Sequence, residues 1–114
     1  MRIKSDHVFL LHIRDAIDDI KSFTPKTIQE LCNDRKTNLA ICKSFEIIGE
    51  ASTNLSEEFK SKYPQVAWKK IKNFRNHLTH EYFDIDYAEI WNIIENYLPD
   101  LEKNIFKILK ETEK

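Results

Sequence analysis

The residues from Arg75 to Tyr82 (Arg75-Asn76-His77-Leu78-Thr79-His80-Glu81-Tyr82) form the densest group of side chains in the chain that could bind an anion or move a proton. Arginine is a permanent cation whose planar fork grips phosphate with two donors, and an imidazole titrates near neutrality. A side-chain amide offers donors and an acceptor, and a phenol offers an oxygen. On a helix, at about 100° per residue, Asn76 lies beside His80 and Arg75 beside Thr79, while Arg75 and Tyr82, seven apart, fall on nearly one side. One helix face then carries an arginine, an amide, an imidazole and a phenol, bordering a core stripe of Ile71, Phe74 and Leu78.

Charge along the chain reinforces a phosphate-binding reading. Net charge is −1, yet from Phe59 to His80 there are six basic residues (Lys60, Lys62, Lys69, Lys70, Lys72, Arg75) and no acid, and from Glu81 to Glu102 seven acids and no Lys or Arg. A local basic strip can hold a phosphate backbone although the whole chain is near neutral, because charges are screened over about 8 Å at physiological salt. An ordinary solvated helix face accounts for the charge alone equally well.

Other polar residues have plainer explanations. His77, His80 and Glu81 have a spacing that could share a metal ion, but His77 falls on a different side from Asn76 and neither cysteine is near in sequence, so no metal site is expected. His7 and His12 are read as surface or core-edge residues. Trp68, Trp91, Tyr63, Tyr87 and Tyr97 recur at helical spacing and are read as packing residues, with base stacking by Trp68 or Tyr63 a minor option. Glu46 and Glu50, four apart, could orient Arg75 across the fold; solvation or a structural ion pair is an equal or better account.

The elements that must position this face are helices. The chain has 114 residues, is 41% hydrophobic, and contains one glycine and three prolines, which leaves few turns for sheets and enough apolar side chains for one core. A first helix from Ser5 or Asp6 carries Phe9, Ile13, Ala16, Ile17 and Ile20 on one stripe and stops at Thr24-Pro25. Thr24 is expected to cap a short helix with Pro25 at its first position, and Asn33-Asp34 opens a long helix through Ile41, Phe45, Ile48 and Leu55. Gly49, inside that helix, costs about 1 kcal/mol relative to alanine and points to a close helix-to-helix approach.

Ser56-Glu57-Glu58 starts a short helix closed by Pro64. The helix bearing the polar face is expected from about Val66 to Phe83, with Ile85 on its core side beyond the end. A last helix starts at Asp86, with Glu89 in a capping-box position, and carries Tyr87, Ile90, Trp91, Ile94, Leu98, Leu101, Ile105 and Ile108, kinked at Pro99. The fold expected for residues 1–114 is therefore a single all-α domain, an antiparallel four-helix bundle with one or two short extra helices. The charged end from Lys107 to Lys114 is expected to fray.

Two function classes are disfavoured at this level. No apolar run approaches the about 20 residues needed to cross a bilayer, so no membrane role is expected. Cys32 and Cys42 have no metal-ligand spacing and the N-terminus has no secretion-type apolar stretch, so a cytoplasmic location is expected.

Arg-Asn-x-x-x-His-x-Tyr, at Arg75, Asn76, His80 and Tyr82, resembles the motif of HEPN ribonucleases in the HepT-like branch. The likeness runs over nearly the whole chain. It includes Phe45-Glu46-Ile47-Ile48-Gly49-Glu50-Ala51, Tyr63-Pro64 with Trp68, and Trp91. The resemblance implies a HEPN-like bundle and a ribonuclease site made by Arg75, Asn76 and His80, with Lys69, Lys70 and Lys72 as RNA-binding candidates. It implies a homodimer that places two copies of the motif across one cleft, with room for a higher hetero-oligomer. It also implies that Tyr82 is modified with AMP by a cognate nucleotidyltransferase antitoxin of the MNT type. No cofactor is implied; ATP enters only as the partner's substrate.

The chemistry is compatible with those roles. Cleaving RNA without metal requires a base for the 2′-hydroxyl, an acid for the leaving 5′-oxygen and a cation for the phosphorane. The alternative from another class is a non-catalytic helical dimer that binds a nucleotide or a partner nucleotidyltransferase at the same face. An imidazole and a guanidinium beside a basic strip favour the enzyme, since a scaffold has no need of them.

Overall fold

A computed structural model describes residues 2–80 and 85–112, with side chains from 6 to 79 and from 85 to 112. Every regular element among them is helical: α1 (Arg2–Phe23), α2 (Ile28–Asn33), α3 (Arg35–Asn54), α4 (Glu57–Lys62), α5 (Trp68–His80), α6 (Tyr87–Asn96) and α7 (Leu98–Thr112). The four long elements are α1, α3, α5 and the α6–α7 pair, with α2 and α4 as the short extra helices. This is the all-α, HEPN-like bundle that the sequence implied.

α3 is central. It packs against α1 on one side and α5 on the other, while α7 closes on α1 and α2 bridges α3 to α6. The α1 stripe buries Leu10, Ile13, Ile17 and Ile20 against Ile41, Phe45 and Ile48 of α3 and Ile105 and Ile108 of α7. Leu78 is the deepest residue of α5, with Ile71 and Phe74 partly buried beside it. Phe74 meets Phe45 edge to face, centroids 5.3 Å apart and planes at 85°, a geometry that aligns the positive rim of one ring with the negative face of the other.

Three helix starts follow local sequence as expected. Asp34 accepts from the Thr37 N–H at 3.2 Å, Ser56 from the Phe59 N–H at 3.1 Å, and Asp86 from the N–H groups of Ala88 and Glu89 at 3.0 and 3.2 Å. Each supplies an acceptor to a first-turn donor that has no partner within the helix.

Five boundaries differ from expectation, each for a local reason. The end expected to fray from Lys107 stays helical to Thr112, because Ile108 and Leu109 are buried in the core. α1 runs back to Arg2, because Asp6 does not cap it: the buried Asp6 carboxylate instead accepts from the N–H and hydroxyl of Ser56 at 2.9 and 2.8 Å. Thr24 does not cap α2, because its hydroxyl and N–H both donate to Ile20 O, closing α1; Thr27 is the cap, accepting from the Glu30 N–H at 3.2 Å. α5 starts at Trp68, two residues later than expected. Val66 is buried in the preceding turn, whose N–H groups bond within the turn, and the helical ladder opens only where Ile71 N–H reaches Ala67 O. The kink expected at Pro99 is a break, with α6 ending at Asn96 and α7 restarting at Leu98. Proline has no N–H and its ring crowds the carbonyl four residues back, so it fits the first turn of a new helix. The expected end of the motif helix at Phe83, and Tyr82 with it, lie outside the described residues.

No helix among the described residues is long and apolar enough to cross a membrane.

Candidate active site

The start of α5 is anchored before its polar face begins. The Trp68 indole N–H donates to Tyr63 O at 3.0 Å, and Tyr63 stacks at a tilt on Phe59, centroids 4.9 Å apart. Burial, then the charge of Glu111 and a hydrogen bond to it, push the Tyr63 phenol up from its ordinary range. Tyr63 and Trp68 therefore belong to the packing that fixes the helix.

Further along α5, Arg75 and Asn76 are half-buried where the helix meets α3. Gly49 makes the approach possible. A Cβ at position 49 would overlap the Cβ and Cγ of Arg75, so the arginine stem lies directly against the α3 backbone. The sequence expectation of a close helix-to-helix contact at Gly49 is met, and the partner is the motif arginine itself.

The guanidinium is held at two points. Its Nη2 donates to Glu50 Oε2 in an ion pair across the helix interface, and its Nη1 donates to Asn76 Oδ1 at 3.1 Å. An arginine only donates, so the amide oxygen of Asn76 must be the atom facing it. The NH2 end of Asn76 is thereby turned away from Arg75 and is the end left to meet a ligand. Thr79 spends its hydroxyl on Arg75 O at 3.0 Å. Of the two acids considered from sequence, Glu50 reaches Arg75, whereas Glu46 lies 3.9 Å from Lys43 on its own helix.

α5 is helical throughout from Trp68 to His80, so positions sort by angle around it. Lys69 and Lys72 are exposed on the same side as Asn76, and position 80, one turn beyond 76, shares that side. Lys70 is also exposed but falls with His77, roughly 100° further round. The helix thus brings Lys69, Lys72, Asn76 and the His80 backbone onto one side, with Arg75 roughly 100° round from Asn76 towards α3 and Lys70 with His77 on the opposite edge. The side chain of His80 is outside the described part of the structure, as is Tyr82.

A guanidinium with its stem buried and its fork oriented, beside an amide presenting donors and two exposed ammonium groups, can bind a phosphate in a fixed pose.

Comparison with known proteins is decisive at family level. Residues 13–108 match the family described as "Ribonuclease HepT-like". The chain belongs to the HepT-like ribonuclease family. Similar relatives include "Putative RNase MJ0127" of Methanocaldococcus jannaschii, 43% identical over 111 residues covering 96% of this chain and 92% of the relative. "Probable ribonuclease HepT" of Thermococcus cleftensis is 35% identical over 109 residues, covering 94% and 98%. "Gamma-glutamylcyclotransferase and putative RNase MJ0434", also of M. jannaschii, is 33% identical over 112 residues; these are 97% of this chain but 50% of that protein. No solved structure matches the chain.

HepT-like membership supports ribonuclease activity in general. What sequence reasoning left open in this HepT-like chain was the partner of Arg75. The signal that could have settled it is adjacency: Glu50 directly follows the only glycine, and the residue next to a close-approach glycine sits at the rim of that contact.

Proposed function

We propose that this chain is a metal-independent endoribonuclease toxin of a HEPN/MNT toxin–antitoxin pair, acting on tRNA or mRNA in the cytoplasm. Two copies form a homodimer that sets their motifs across one cleft, and a larger assembly with the antitoxin is compatible with this arrangement. In one copy His80 takes the proton from the 2′-hydroxyl, which attacks the adjacent phosphorus. In the other, His80 gives a proton to the departing 5′-oxygen, and the product ends in a 2′,3′-cyclic phosphate. Arg75 stabilises the charge that builds on the phosphorane, and the Asn76 NH2 group orients the phosphate. Lys69 and Lys72 track the backbone on either side, with Lys70 at its margin.

The cognate nucleotidyltransferase silences the enzyme by AMPylating Tyr82. Its phenol attacks the α-phosphate of ATP, pyrophosphate leaves, and the bulky anion two residues from His80 excludes RNA phosphate.

The observation that carries the reading is the orientation of Arg75, fixed at the helix interface and bonded to Asn76, which lies one turn before position 80 on the side that also bears Lys69 and Lys72. The test is cleavage of end-labelled total tRNA in EDTA by protein shown by intact mass to be unmodified. Wild type should cut and leave a cyclic phosphate, and His80→Ala should not. Cutting by His80→Ala would overturn the mechanism, and a silent wild type would favour the non-catalytic binding module. Coexpression with the transferase should raise the mass by whole AMP units in wild type and not in Tyr82→Phe.

A further inference from the structure

We infer that Glu50 is a positioning residue for ribonuclease action, holding the Arg75 guanidinium in the pose that meets the phosphorane. The inference rests on the function proposed above. Three features of the α3–α5 contact lead to it. Gly49 lets the first two carbons of the Arg75 side chain lie on the α3 backbone, so only the outer torsions are left to be fixed. Glu50, the next residue, engages Nη2 from α3, and Asn76 engages Nη1 from α5. Nε–H and the outer N–H bonds are the donors left for a phosphate.

An exposed ion pair of this kind adds little to stability, because solvent screens it and two side chains must be ordered to make it. Its effect on catalysis is separate, since a donor misplaced by about 1 Å can cost about 100-fold in rate. Glu50 also places a negative charge near the proposed phosphate position, which opposes ground-state binding of RNA. Orientation and charge therefore push rate and binding in opposite directions. A residue with only a structural role would not separate them.

The experiment compares Glu50→Ala, Glu50→Gln and the control Glu46→Gln with wild type, in full-length protein on end-labelled tRNA. Glu50→Ala should lower kcat by about 10- to 100-fold while KM falls by about two- to fivefold. Glu50→Gln keeps an acceptor and loses the charge, so kcat should largely return while KM stays low. Glu46→Gln should match wild type. Nitrogen relaxation of Arg75 Nε gives a readout independent of activity: ordered in wild type, mobile in Glu50→Ala. Wild-type kcat in Glu50→Ala, or an Arg75 Nε already mobile in wild type, overturns the inference alone. A wild type that cuts no RNA overturns the proposed function and this inference with it, even where Arg75 is ordered.

Discussion

Gly49 and Arg75 are in direct register across the α3–α5 interface: the absent side chain of one is the space occupied by the stem of the other. Fold and candidate site thus share a single contact. Gly49→Ala should show both consequences. Alanine improves helix propensity by about 1 kcal/mol, but forcing a methyl into the Arg75 stem costs about 1–3 kcal/mol. A net loss near 1 kcal/mol is expected in urea unfolding, with RNA cleavage falling far more than the folded fraction. A variant more stable than wild type and equally active would show that the contact relaxes freely.

Arg75→Lys tests the fork rather than the charge. Lysine keeps one positive charge but cannot donate to Glu50 and Asn76 at once in a planar arrangement. Cleavage should fall by about 100-fold, with stability near wild type because the pair is partly solvated. Near-normal cleavage would mean that only charge matters at this position.

The sequence was most readable where one residue acts on its own neighbours. The caps at Asp34, Ser56 and Asp86 are local hydrogen bonds within four residues, and their residue types announce them. It was least readable where a cap-type residue is diverted. Asp6 and Thr24 both look like helix starters, but one serves a helix fifty residues away and the other closes the helix behind it. At the site, spacing along α5 was enough to group Arg75 and Asn76, whereas the choice of Glu50 over Glu46 depended on how two helices are set against each other. Only Gly49 carried a trace of that setting.

The Asp6–Ser56 link should be a large stabilising element far from the chemistry. Asp6 is buried and accepts two hydrogen bonds from Ser56, whose hydroxyl in turn caps α4 through Phe59 N–H. Bonds to a charged acceptor contribute about 1.5–3 kcal/mol. Asp6→Ala is expected to cost about 3 kcal/mol and Ser56→Ala about 1–2 kcal/mol, measured by denaturant unfolding. The double variant should lose less than the sum, since both remove the same bond. Strict additivity would mean the two residues act separately.

The cysteines should differ sharply in reactivity and in their effect on stability at high pH. Cys32 is exposed and Cys42 is buried in α3. Burial, reinforced by the charge of Glu46, pushes the Cys42 thiol from an ordinary value of 9.0 up to about 11. The thiolate is the reactive form, so a disulfide reagent at pH 8 should titrate Cys32 quickly in the native protein and Cys42 only after unfolding. The linkage has a definite sign. As pH rises through 9.0 the unfolded thiol ionises while the folded one keeps its proton to about 11, so the folded state binds more protons and stability falls across that window. The raised Tyr63 phenol acts in the same direction, so the measurement is the difference between wild type and Cys42→Ala. The alkaline loss should be shallower in Cys42→Ala; identical slopes would show that Cys42 ionises as readily in the folded chain as in the unfolded one.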